Sequence, residues 1–105
     1  MNAGSSDAGA EATFTFVDLA GFTALTETHG DAAAASLVER FSDLVATATK
    51  TDARLVSIVG DGAFLVSDDP ASALRMVGRL VELAQLEPNF PELRAGLRGR
   101  VRAAR

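Results

Sequence analysis

Two aspartates stand where a carboxylate could do chemistry. Asp18 lies in Phe16-Val-Asp-Leu-Ala-Gly-Phe-Thr23, just before a glycine turn that opens a helical stretch. Asp61 lies in Val59-Gly-Asp-Gly62, 43 positions further on. A helix N-terminus presents unpaired N–H groups and a partial positive charge, a setting that suits phosphate oxygens. A carboxylate beside it can hold a divalent cation that bridges to those same oxygens. Hard cations such as Mg2+ take oxygen ligands of this kind. Two of them held about 3.5–4 Å apart clamp the attacking and leaving oxygens of a phosphoryl displacement. Taken singly, each aspartate has a plainer role, Asp18 as a helix cap and Asp61 as a hairpin residue. The pair gains meaning only if the fold brings both to one place.

Composition narrows the chemistry further. The 105 residues include no cysteine and a single histidine, His29, so thiolate nucleophiles, disulfides and histidine-based metal clusters are excluded. His29 falls at a predicted helix end, where a role beside the helix dipole is expected. Thr23 and Thr26 have no visible base partner that would make either a nucleophile. The charge is divided unevenly along the chain. Residues 1–92 hold all fourteen acidic side chains against five basic ones, and Arg94, Arg98, Arg100, Arg102 and Arg105 follow with no acid. An acidic body argues against nucleic acid as the main partner and suits a site that collects cations. No apolar run approaches the roughly 18–20 residues of a membrane span. The first 39 residues carry no Lys or Arg and no apolar core of a secretory signal, so a cytoplasmic location is expected.

The elements that must position the aspartates can be read from periodicity. Residues 1–11, small and polar, predict a disordered leader. Ala12 to Asp18 is rich in β-branched and aromatic residues and predicts a strand, with Phe14 and Phe16 facing the core. Phe22 to His29 predicts a short helix stopped by Gly30. Asp31 is the expected N-cap of a longer helix to about Lys50, with Ala34, Val38, Phe41, Val45 and Ala48 as its apolar stripe. Arg54 to Val59 and Ala63 to Val66 flank Gly60-Asp61-Gly62 and predict a hairpin. Asp69-Pro70 starts the next helix, along which Leu74, Val77, Val81 and Ala84 recur until Pro88 and Pro91 end it. Leu93, Ala95 and Leu97 alternate with Arg94, Gly96 and Arg98 in a last strand. The expected domain covers residues 12–98, with 99–105 as a basic tail.

The order β-α-(α)-β-β-α-β is that of a ferredoxin-like βαββαβ sandwich, an α+β fold whose antiparallel sheet carries helices on one face. In that topology the first and third strands are central neighbours, so the end of the first can face the hairpin turn. Leu55, Val56, Ile58 and Val59 supply apolar residues of both parities. Both sheet faces then seek burial, which predicts self-association or marginal solubility.

The two motifs together resemble the catalytic domain of class III adenylate and guanylate cyclases. The likeness runs from about Thr13 to Leu97 and includes Asp68-Asp-Pro-Ala-Ser-Ala-Leu74. It implies that Asp18 and Asp61 bind two Mg2+ or Mn2+ ions, joined by the backbone carbonyl of Leu19. It implies that Ala20, Gly21, Phe22 and Thr23 cradle the triphosphate of ATP or GTP. The family reaction is attack of the ribose 3′-hydroxyl on the α-phosphorus, giving a cyclic nucleotide and pyrophosphate. ATP-using members carry a base-reading lysine at the position of Ser57. The family's transition-state Asn-x-x-x-Arg pattern does not occur, since the only asparagines are Asn2 and Asn89. Family sites form between the two domains of a dimer, so the resemblance implies a homodimer or a heterodimer with another cyclase domain. The expected function is therefore the metal-bearing half of a cyclase site, inactive alone. The alternatives are a non-catalytic regulatory module that binds metal-nucleotide or pairs with a cyclase, and a truncated fragment.

Overall fold

Seven elements follow one another in a computed structural model that describes residues 11–102. They are β1 (Glu11–Leu19), α1 (Phe22–His29), α2 (Asp31–Thr49), β2 (Arg54–Val59), β3 (Gly62–Ser67), α3 (Pro70–Leu86) and β4 (Leu93–Arg102). The order is the expected one. The expected leader lies outside the described residues except for Glu11, which opens β1, and β4 runs four residues into the segment expected to be a tail. The strands form one antiparallel sheet in the order β2-β3-β1-β4. β1 is central and sets Asp18 opposite Gly62 of β3 on one side and opposite Arg94 of β4 on the other.

Helices α2 and α3 cover one face of the sheet. Val17, Leu19, Ala63 and Leu65 meet Leu37, Phe41, Leu44, Val45 and Ala48 of α2, and Met76, Leu80 and Ala84 of α3. Removing these apolar surfaces from water is what holds the two layers together. Four of the five positions predicted for the α2 stripe are buried, with Val38 partly so, and Leu37 and Leu44 widen the stripe. Arg79 of α3 ties the end of α2 to its neighbour. Its Nε and Nη2 donate to the Ala48 carbonyl at 3.0 and 2.8 Å, satisfying a helix-terminal acceptor. It also lies 2.7 Å from Asp52, and its hydrogen bond holds that carboxyl below its ordinary value. Arg40 links α2 to the α3–β4 connection: Nε and Nη2 donate to Glu87 Oε1 at 3.1 and 3.0 Å, and Nη2 donates to the Pro88 carbonyl.

Three local expectations are corrected. Asp31 is in the first turn of α2, and Gly30, at φ 89°, holds the cap position without a side-chain hydrogen bond. On α3 the buried stripe is Ala73, Met76, Leu80 and Ala84, whereas Leu74 and Val81 face outward. Both stripes are apolar, and contact with the sheet selects one. On β1, Thr13, Thr15, Val17 and Leu19 point into the core, and Phe14 and Phe16 point to the other face. Asp18 explains this. An ionised carboxylate cannot be left unpaired in a core, and Phe16 and Phe14 share its parity two and four residues back. As expected, Asp69 caps α3, accepting from the Ser72 amide at 2.8 Å, with Pro70 behind it. That hydrogen bond lowers the Asp69 pKa from its ordinary value.

Candidate functional site

Antiparallel pairing brings the C-terminal end of β1 beside the N-terminal end of β3, which is where the two motifs sit. Val59 pairs with Gly62, so Gly60 and Asp61 form a two-residue turn between β2 and β3. Gly60 has φ 56°, a region that side chains with a Cβ adopt only with strain. The Leu19 amide donates to the Asp61 carbonyl at 3.1 Å, so one backbone hydrogen bond joins the residue after the first aspartate to the second. Asp18 and Asp61 therefore share one end of the sheet. Leu19 has a fully buried side chain and can offer the site only its backbone.

The turn after Leu19 is held at both ends. The Ala20 amide donates to the Glu92 carbonyl at 2.8 Å, and Gly21, at φ 70°, is the N-cap of α1 without a side-chain cap. Phe22 packs against the core, while Thr23 is exposed in the first helical turn. Ser57 is exposed on β2 opposite Phe64. A depression of about 260 Å3 on the helix-free face is lined by Asp18, Ser57, Val59, Gly62, Phe16 and Phe64. Asp18, one of the predicted metal ligands, and Ser57, the predicted base position, thus border one hollow, whereas Leu19 and Asp61 do not line it. Thr26 is occupied within α1, its hydroxyl donating to the Phe22 carbonyl at 3.0 Å, and His29 is exposed in the last turn. The larger cavity, about 350 Å3 between α3 and the start of β4, shares no lining residue with that hollow.

Two features of the site escaped the sequence reading. Arg94 Nε donates to Asp18 Oδ1 at 3.2 Å across the β1–β4 pair. The acid-free alternation Leu93-Arg-Ala-Gly-Leu-Arg98 in β4 hinted at its face, but a register spanning 76 positions has no local signal. The second is the aromatic patch. Phe14 and Phe64 stack at 5.3 Å between ring centroids, and Phe16 lies 4.6 Å from Phe64. Phe16 remains 52% exposed, an unusual state for a central-strand aromatic. Among the described residues no three His, Cys, Asp or Glu side chains cluster as a metal site, so a cation here would rest on two aspartates and backbone oxygen. Among the described residues no helix is long and apolar enough to cross a membrane.

No family model matches the chain. A pH-sensitive adenylate cyclase of Mycobacterium tuberculosis is 36% identical over 103 residues, covering 92% of this chain and 26% of that protein. The chain thus spans about a quarter of that relative's length. Among solved structures, an adenylate cyclase of Trypanosoma brucei in its monomeric state superposes with a TM-score of 0.79 at 15% identity, over 96% of this chain and 66% of that one. The catalytic core of a rhodopsin-guanylyl cyclase with converted specificity, in complex with ATPαS, gives 0.79 at 18% identity, over 90% and 59%. The structural likeness carries the fold, and the sequence likeness carries the descent. Together they place this segment in the family of class III adenylate and guanylate cyclase catalytic domains.

Proposed function

We propose that this segment binds a divalent cation–nucleoside triphosphate complex and supplies the metal-holding half of a cyclase site, which a second cyclase domain completes across an interface. The observation that carries the reading is the Leu19–Asp61 hydrogen bond, which fixes the two aspartate-bearing turns to each other. The donor set fits Mg2+ or Mn2+: carboxylates of Asp18 and Asp61 and the Leu19 carbonyl are all hard oxygens. When bound, such cations neutralise phosphate charge and orient the reacting oxygens.

The chain's own residues divide the remaining work. Asp18 and Asp61 hold the cations. Gly21 to Thr23, at the start of α1, offer backbone N–H groups to phosphate oxygens, while the Ala20 amide is held by the Glu92 carbonyl. Ser57 borders the hollow at the position of the base and offers a neutral hydroxyl, able to donate and accept but not to supply charge. Donors for the charge that develops during cyclisation must come from outside these residues, because the sequence holds no Asn-x-x-x-Arg pattern. The partner is a second cyclase domain, from a like or unlike chain, seated on the helix-free face with its exposed Phe16. Adenylate cyclase relatives and a neighbour holding ATPαS support a purine triphosphate as substrate. A cytoplasmic setting, where such triphosphates are abundant, suits this role.

Binding of Mn2+ with a non-cyclisable ATP analogue, followed by calorimetry, tests the reading. Asp18→Asn and Asp61→Asn each remove a formal charge at the cation and are expected to weaken binding about tenfold or more. Unchanged affinity in both variants returns the aspartates to cap and turn roles. Robust cyclic nucleotide production by the purified chain alone, abolished in Asp18→Ala, refutes the half-site.

A further inference from the structure

We infer that Arg94 is a tethered counter-cation that sets what Asp18 accepts, opposing a bare divalent cation and favouring the same cation when it arrives with a triphosphate. The inference rests on the reading of Asp18 as a cation ligand. It begins from the strand register. Asp18 and Arg94 are opposite one another on β1 and β4, and directly opposed residues in a sheet project to the same face. The Nε–Oδ1 contact of 3.2 Å shows the consequence: a positive charge already stands at the carboxylate.

That contact is built to exchange. The side chains of Arg94 and Asp18 are 67% and 46% exposed, and an ion pair so open to water is worth little. A guanidinium carries five N–H donors in a planar fork, which matches phosphate oxygens in bidentate fashion better than a single carboxylate contact. Arg94 also has room to turn. It borders a hollow of about 290 Å3 with Phe16, Asp18, Ala95 and Gly96, and a Cβ placed on Gly96 would meet nothing within 4 Å. This hollow shares Phe16 and Asp18 with the one beside Ser57, so the guanidinium lies at the border of the region proposed for the nucleotide.

Charge then decides the sign of the effect. A bare Mn2+ approaching Asp18 must displace a cation and remain near it, which weakens binding. A Mn2+–triphosphate complex carries net negative charge, and Arg94 can trade a carboxylate oxygen for phosphate oxygens without losing a partner. Arg94 is thus a positioning residue that selects the loaded cation over the free one.

The experiment measures binding of Mn2+ alone, by the paramagnetic resonance signal of the free ion, and of Mn2+ with the non-cyclisable ATP analogue, by calorimetry. It uses the full chain as wild type, Arg94→Gln, Arg94→Lys and Asp18→Asn, with circular dichroism as the check on folding. Arg94→Gln is expected to tighten Mn2+ binding about two- to fivefold and to weaken binding of the Mn2+–nucleotide complex by a similar factor, the range open to an exposed charge pair. Arg94→Lys keeps the charge and loses the fork, so Mn2+ affinity stays at the wild-type value while nucleotide affinity falls part of the way. A role confined to strand packing moves both affinities in one direction. Shifts of equal sign in Arg94→Gln, or no shift, overturn the inference. If nucleotide binding is lost in Asp18→Asn and untouched in Arg94→Gln, Asp18 keeps its role and Arg94 does not. If neither variant alters binding, the cation reading of Asp18 fails as well.

Discussion

Thr15→Val should stabilise the fold, although it removes a polar group from a polar-looking strand. Thr15 is fully buried on the helix-covered face of β1, between Leu65 of β3 and Leu97 of β4 in register. Among the described residues its hydroxyl has no hydrogen-bond partner, and neither have those of Thr13 and Ser67 nearby. A buried hydroxyl without a partner costs about 1–3 kcal/mol relative to its hydrated state in the unfolded chain. Valine has the same branched shape and places a methyl group where the oxygen was, so no cavity forms. The expected gain is about 1–2 kcal/mol. With a urea slope of about 2 kcal/mol/M, a gain of about 1 kcal/mol moves the midpoint up by roughly 0.5 M. In a domain of this size it raises Tm by about 4–8 °C. Urea titration followed by far-UV circular dichroism, with the slope checked for constancy, measures it. A lower midpoint in Thr15→Val at unchanged slope refutes the reasoning, since it means that the hydroxyl is satisfied in solution.

The register of α3 is tested by a pair of leucines: Leu80→Ala should cost about 2–5 kcal/mol and Leu74→Ala at most about 0.5, read from the same titrations. Equal costs would restore the outward stripe to the core. Asp69 contributes through its ionised form, whose pKa lies below its ordinary 3.8. Its stabilisation is complete above about pH 4 and is lost as the pH falls through the lowered value. Asp69→Asn keeps a neutral cap, so its urea midpoint should fall less between pH 5 and pH 3 than that of the wild type. Phe64→Ser should weaken self-association about tenfold or more, seen by sedimentation across a concentration series. A wild type that stays monomeric at high concentration would sink that expectation.

Much of this molecule could be read from the chain alone, and the misreadings have physical causes. The turns announced themselves, because Gly21, Gly30 and Gly60 all take positive φ and Asp69-Pro70 is a helix start by its own chemistry. Helix α3 defeated the reading of its face because Leu74, Val77 and Val81 form a stripe as apolar as that of Met76 and Leu80, and Ala84 belongs to both. On β1 hydrophobicity pointed the phenylalanines inward, when the parity of Asp18 held the better clue. The meeting of Asp18 and Asp61 was legible through topology, since a βαββαβ order makes their strands neighbours. Arg94 was not, because its approach to Asp18 depends on pairing between the second residue of β4 and the eighth of β1, and nothing local fixes that alignment.

The central place of β1 has a consequence for how the protein is made. Among the described strands this one is synthesised first, yet one of its two partners is synthesised last, with Glu11 paired to Arg102. Until β4 emerges, one flank of β1 has no neighbour and the sheet stands incomplete, a state prone to wrong pairings. The charge distribution fits that interval. Residues 1–92 hold all fourteen acidic side chains and only five of the ten basic ones, so like-charge repulsion opposes pairing between unfinished copies of this segment. The arginines then arrive with the strand that closes the sheet, and the repulsion falls as the open flank disappears.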